Sequence, residues 1–106
     1  MSFREAQQAV DQWIGQYKEG YFTPLTNLAR LSEEVGELAR EINHRYGEKP
    51  KKKEEPEGSI AMELADVLFV VLCLANSEGI DLDAAFAAMM AKVTARDAAR
   101  WTRKER

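Results

Sequence analysis

The residues best suited to chemistry are six carboxylates in two groups. Glu33, Glu34, Glu37 and Glu41 share one stretch, and Glu63 and Asp66 share another. Glu34 and Glu37 are three residues apart, as are Glu63 and Asp66, so on helices each pair leaves one face about one turn apart. Like charges at these spacings destabilise a helix by about 0.2–0.5 kcal/mol per pair, and only Arg30 and Arg40 stand near enough to offset them. Asp66 precedes the apolar run from Val67 to Ala75, which has no solvent face, so its carboxyl is expected to be at least partly buried. A buried acid needs a proton, a partner or a metal.

Two acidic pairs on neighbouring antiparallel helices make a pocket of four carboxylates that repel one another. A hard divalent cation relieves that repulsion, and all-oxygen ligands favour Mg²⁺, with Mn²⁺ as the alternative, over zinc. Gly36 weakens the helix within the cluster, a cost that makes sense if something packs closely there. Glu41 and His44 have the Glu-x-x-His form of di-iron bundles, but that design takes two such motifs per site and His44 is the sole histidine.

Four helices must position these groups. Ser2 and Glu5 have capping-box spacing, and Phe3, Ala6, Val10, Trp13, Ile14 and Tyr17 recur at three and four, which predicts a first helix to about Lys18, stopped by Gly20. Thr23-Pro24 opens a second helix with the apolar stripe Leu28, Leu31, Val35, Leu38 and Ile42, ending near Tyr46-Gly47. The Pro/Gly-containing, charged segment 47–58 reads as an exposed mobile loop. Ser59 caps the apolar third helix and Gly79 ends it. Asp81 caps a fourth, with Leu82, Phe86, Met89 or Met90, and Val93 inside, running to about Trp101. The predicted fold is an all-α, four-helix bundle in one domain over residues 1–106. Four short helices do not comfortably cover a third helix without a polar face, so a homo-oligomer, dimer or tetramer, is expected to bury the excess.

A net charge of −3 and no dominant basic stripe argue against a nucleic-acid partner. Cys73 stands alone inside the apolar run, so it closes no internal disulfide and reads as a small core residue. The opening residues carry no apolar signal core, and nine apolar residues are too few to span a bilayer, so a soluble, cytoplasmic protein with no membrane partner is expected.

Glu33-Glu34-Val-Gly-Glu37, then 25 residues, then Glu63-Leu-Ala-Asp66, resembles the EExxE and ExxD pair of the MazG-like nucleoside triphosphate pyrophosphohydrolases. The likeness extends through Leu74-Ala-Asn76-Ser-Glu-Gly-Ile-Asp81 and Lys92-Val-Thr-Ala-Arg96-Asp97-Ala-Ala-Arg100-Trp101, and is strongest to a short single-domain subgroup. It implies Mg²⁺-dependent hydrolysis of an NTP or dNTP to the monophosphate and pyrophosphate, in the service of cleansing the nucleotide pool. It further implies Glu34, Glu37, Glu63 and Asp66 as metal ligands. Glu33 would then be a further ligand or the base that orients the attacking water.

On the last helix Lys92, Arg96 and Arg100 form an i, i+4, i+8 row that suits phosphate oxygens. Trp13, Tyr17, Tyr21 and Phe22 could wall a base, with Asn27 or Asn76 reading its edge, although Trp13 and Tyr17 fit the core stripe better. The competing class is a non-enzymatic helical interaction module whose acids merely solubilise it.

Overall fold

The computed structural model describes residues 1–48, 51 and 58–105, so most of the expected loop over 47–58 lies outside the described residues. Four helices are present and, among the described residues, no strand: α1 Phe3–Ile14, α2 Pro24–Tyr46, α3 Ile60–Ser77 and α4 Leu82–Asp97. The starts fall where the capping chemistry puts them. Ser2 and Glu5 form a reciprocal capping box, and Thr23, Ser59 and Asp81 accept from backbone N–H groups of their own first turns.

The ends of α1 and α4 fall about four residues short of expectation. After Ile14 the chain tightens, with Gln16 N–H donating to Trp13 O and Tyr17 N–H to Ile14 O before Gly20 turns it at φ 62°. This i+3 pattern keeps Trp13 and Tyr17 on one side without continuing the helix. The end of α3 follows the glycine rule closely. Gly79 has φ 67°, its N–H donates to Asn76 O, and Ile80 N–H donates to Ala75 O, the paired bonds of a Schellman cap.

The packed unit is α1, α2 and α3. The centre is small: Val10, Leu72 and Cys73 are buried together, with Ile14, Tyr21, Phe69 and Leu82 against them. Cys73 is core as expected, and burial pushes its thiol pKa up, which leaves it unreactive. The fourth rod does not complete a closed bundle. It packs on the start of α1, where Phe3 and Phe86 stack with centroids 5.4 Å apart and Asp83 accepts from the N–H groups of Phe3 and Arg4. That carboxylate caps α1 from outside, at the end where the helix dipole favours an anion.

Much of each expected inner stripe is open in the single chain. Leu31 and Leu38 of α2 are half-buried, whereas Leu28, Val35 and Ile42 are exposed; on α4, Phe86, Met89 and Met90 are exposed. On α3, Met62, Leu64 and Leu68 are exposed while Val70, Leu72, Cys73 and Ala75 are buried. The radius of gyration is 17.8 Å, against about 13 Å for a compact chain of this length. The nine-residue run also understates α3, whose 18 residues have mean hydropathy 1.9 and are long and apolar enough, by length and composition, to cross a membrane. Core helices of soluble proteins meet the same criterion, and this one carries Glu63 and Asp66 in its first half.

Candidate active site

The centre of the candidate site is the seam between α2 and α3. These two rods share the most extensive contact in the chain, and their antiparallel run sets the middle of α2 opposite the first turns of α3. There Glu34, Glu63 and Asp66 each place one carboxylate oxygen within 4.8 Å of the others, and all three side chains are half-buried. Burial pushes the Glu63 pKa up, and the negative charges of Asp66, Glu37, Glu34 and Glu41 push it further. The cluster is therefore held together against its own repulsion by the packing of the two helices.

The donor set fits a hard divalent cation. Octahedral ligation at about 2.1 Å separates adjacent oxygens by about 3 Å and opposite ones by about 4.2 Å, which three oxygens within 4.8 Å reach with small side-chain rotations. Among the described residues neither nitrogen nor sulfur joins them, as zinc would prefer.

The remaining predicted residues divide. Glu37 is exposed and does not join the three oxygens, although its charge is felt at Glu63. Glu33 is exposed on the next face of α2. Glu41 is engaged by Lys51 at 3.3 Å, and neither Glu41 nor His44 belongs to the acidic group. Gly36 has open space around it rather than a close neighbour, because it lies on the solvent side of α2.

The basic row lies apart from the acids within one chain. Helix α4 packs on α1, not along α2 and α3, so Lys92, Arg96 and Arg100 are not brought onto the acidic seam by the monomer fold. Arg96 pairs with Asp97 at 3.0 Å, Arg100 reaches the same carboxylate at 3.7 Å, and Arg100 also lies over Trp101. Asn76 is committed internally: its Nδ2 donates to Gln7 O and to Tyr21 Oη, both at 2.9 Å, and its Oδ1 accepts from Gln7 Nε2. It therefore ties α1 to α3.

The aromatic residues, in contrast, do form a cleft. Trp13, Tyr17, Phe22, Asn27, Arg30 and Phe69 are among the walls of a largely apolar space of about 340 Å³ floored by Cys73. Trp13 meets Tyr17 edge-on at 5.2 Å and Phe69 at 6.0 Å, and the Arg30 guanidinium lies over Phe22 at 5.5 Å. Trp13 and Tyr17, expected mainly in the core, are about half exposed and line this cleft instead. The chain truncates α1 there and leaves too little mass above them to close a core. Two wall residues went unassigned in the sequence. Phe69 follows Asp66 by three and Arg30 precedes Glu34 by four, spacings that place both on the faces bearing the acids. The cleft and the acids thus lie along one seam, Asn27 standing seven residues or about 10 Å before Glu34 along α2.

Residues 22–101 match the MazG nucleotide pyrophosphohydrolase domain. YpjD of Bacillus subtilis (strain 168), a protein whose function is uncharacterized, is 58% identical over 104 residues, covering 98% of this chain and 94% of that protein. A crystal structure of YpjD from Bacillus subtilis, named there as a candidate pyrophosphatase, superposes with a TM-score of 0.78 at 56% identity, over 87% of this chain and 94% of that one. The Bacillus-conserved MazG protein, a nucleotide pyrophosphohydrolase, superposes with a TM-score of 0.76 at 48% identity, over 99% of this chain and 95% of its own. These matches set aside the purely structural interaction module. The chain belongs to the MazG nucleotide pyrophosphohydrolase family and is an enzyme of that class.

Proposed function

We propose that this protein hydrolyses a nucleoside triphosphate, ribo or deoxyribo, between the α and β phosphates. Water attacks the α-phosphorus, the bond to the bridging oxygen breaks, and monophosphate and pyrophosphate leave. The observation that carries the reading is the convergence of the Glu34, Glu63 and Asp66 oxygens within 4.8 Å on a half-buried seam. These three residues would hold Mg²⁺, or Mn²⁺ in its place, with Glu37 as a fourth ligand after a change of rotamer. A cation so held neutralises charge on the phosphates during in-line displacement.

The chain's own residues supply the rest. Glu33, exposed beside the cluster, orients the attacking water and accepts its proton. Phe22 and its aromatic neighbours exclude water from the base and stack on it. Lys92, Arg96 and Arg100 bind the leaving phosphates, and because α4 stands away from the seam they serve a neighbouring subunit's site in a homo-oligomer. The exposed apolar faces of α2, α3 and α4 are the surface on which that oligomer assembles. House-cleaning of the cytoplasmic nucleotide pool is the role this chemistry suits.

The test is a panel of ordinary and modified NTPs and dNTPs with Mg²⁺ or Mn²⁺, scored for pyrophosphate against orthophosphate. Pyrophosphate as first product supports the assigned bond; orthophosphate as first product excludes it.

A further inference from the structure

Beside the aromatic cleft lies a buried polar atom that has no partner among the described residues. Asn27 is 1% exposed. Its Nδ2 donates to Phe22 O at 3.2 Å, and since a carbonyl can only accept, this bond fixes which end of the amide faces the turn. Oδ1 is the other end. It is buried and has no hydrogen-bond partner among the described residues, while Asn27 lines the cleft beside Arg30 and Phe69. A buried amide oxygen with nothing to accept is unfavourable, and it becomes favourable once a ligand supplies an N–H. Asn76, the other amide in reach of the aromatic cluster, has no such vacancy, because both ends of its side chain are already bonded to Gln7 and Tyr21.

We propose that Asn27 is the specificity-determining residue of this enzyme: its Oδ1 accepts a hydrogen bond from an N–H donor on the base of the nucleotide seated in the aromatic cleft. The proposal rests on the nucleotide reading given above and adds which residue reads the base, and with which polarity. Arg30, three residues further along α2, supplies a donor to the same wall. The wall therefore offers an acceptor beside a donor, the complement of a base edge on which donors and acceptors alternate, between rings that stack on the base faces. A pocket built to take a substrate N–H rejects the analogue lacking it far more strongly than a purely apolar pocket does, because the acceptor is then left empty.

The test separates base reading from turnover. Trp13 lies in the cleft, so its fluorescence reports binding of α,β-methylene triphosphates, which carry no cleavable α,β oxygen bridge, in the presence of Mg²⁺. Four bases are each compared with a counterpart stripped of its N–H donors: cytosine with 2-pyrimidinone, adenine with purine, uracil with N3-methyluracil, and guanine with N1-methylhypoxanthine. For the preferred base the wild-type protein is expected to bind the intact form about tenfold or more tightly than the stripped one. In Asn27→Leu that ratio falls to within about twofold while helix content is retained. Asn27→Ala, which removes the acceptor without adding another, is read the same way should the leucine variant fail to fold.

Equal binding of intact and stripped forms for all four bases overturns the proposal, as does a ratio that survives in the folded variants or a fluorescence signal that responds to none of the analogues. Discrimination that depends on Asn27 in a protein that releases no pyrophosphate from any natural triphosphate upholds the base reading and overturns only the catalytic one.

Discussion

Glu34 on α2 and Asp66 on α3, 32 positions apart in sequence, bring a carboxylate oxygen each to within 4.8 Å, with Glu63 completing the group. Neither helix has a reason of its own to bear this charge. The packing of α2 along α3 makes the acids meet.

The first prediction follows from that repulsion. Millimolar Mg²⁺ or Mn²⁺ raises the thermal midpoint, by about 10 °C or more at a hundred times its dissociation constant, as followed by circular dichroism. Asp66→Asn and Glu34→Gln abolish pyrophosphate release and the cation-induced shift, and without cation they unfold no earlier than wild type because a like charge has been removed. Full activity in either variant rules out its role as a ligand.

Tyr21 sets a prediction at alkaline pH. Its phenol is pushed up from 10.0 to about 12, first by burial and then by the 2.7 Å hydrogen bond it donates to Asp11. The folded state therefore holds this proton more tightly than the unfolded chain. The associated stability is fully present below pH 10 and is lost as the pH rises through 10 to 12. Tyr21→Phe is less stable at pH 8, having lost the hydrogen bonds to Asp11 and from Asn76, and its urea midpoint declines less between pH 10 and 12. An identical decline in both proteins contradicts the assignment.

Asn76→Ala tests whether that residue serves structure. Removing its three hydrogen bonds unties α3 from Gln7 of α1 and from Tyr21 Oη, at a cost of about 1–3 kcal/mol in chemical denaturation. The cation-induced rise in midpoint should persist unchanged, since the acids are untouched. A variant as stable as wild type but defective in binding nucleotide would return Asn76 to the base site.

The open faces predict assembly. Light scattering should give a mass that is a multiple of 12.0 kDa. Leu68→Glu on α3 or Met89→Glu on α4, each placing a charge on an exposed apolar face, should shift it toward the monomer. A monomeric wild-type protein at micromolar concentration refutes this.

Sharing of the site between subunits has a direct assay. Lys92→Ala and Asp66→Asn are each expected to be inactive alone, and protomers of the two unfolded and refolded together should recover activity, because some sites then combine an intact α2–α3 seam with an intact α4. Mixtures no more active than the parents place the basic row outside the site.

What the sequence determines here is local. Ser2, Thr23, Ser59 and Asp81 start the helices, and Gly79 ends α3 at a left-handed turn, because caps and glycine turns act within a few residues of themselves. The spacing of Glu34 and Glu37 and of Glu63 and Asp66 likewise fixes two acidic faces, since helical geometry is the same in any protein.

Only the tertiary structure decided which of those acids meet. Glu37 bears the same spacing to Glu34 as Asp66 does to Glu63, yet it points outward, a matter of how α2 is rotated about its axis against α3. Asn27 and Asn76 were equal candidates by residue type, and hydrogen bonds across 69 positions of chain consumed one and left the other's Oδ1 empty. The same holds for Trp13 and Tyr17, whose periodicity fits a core but whose rings line a cleft, and for α4, whose Phe86, Met89 and Met90 stand exposed. Amphipathic periodicity records that a face is to be covered; which surface covers it depends on contacts between distant segments, and these exist only once the helices have packed.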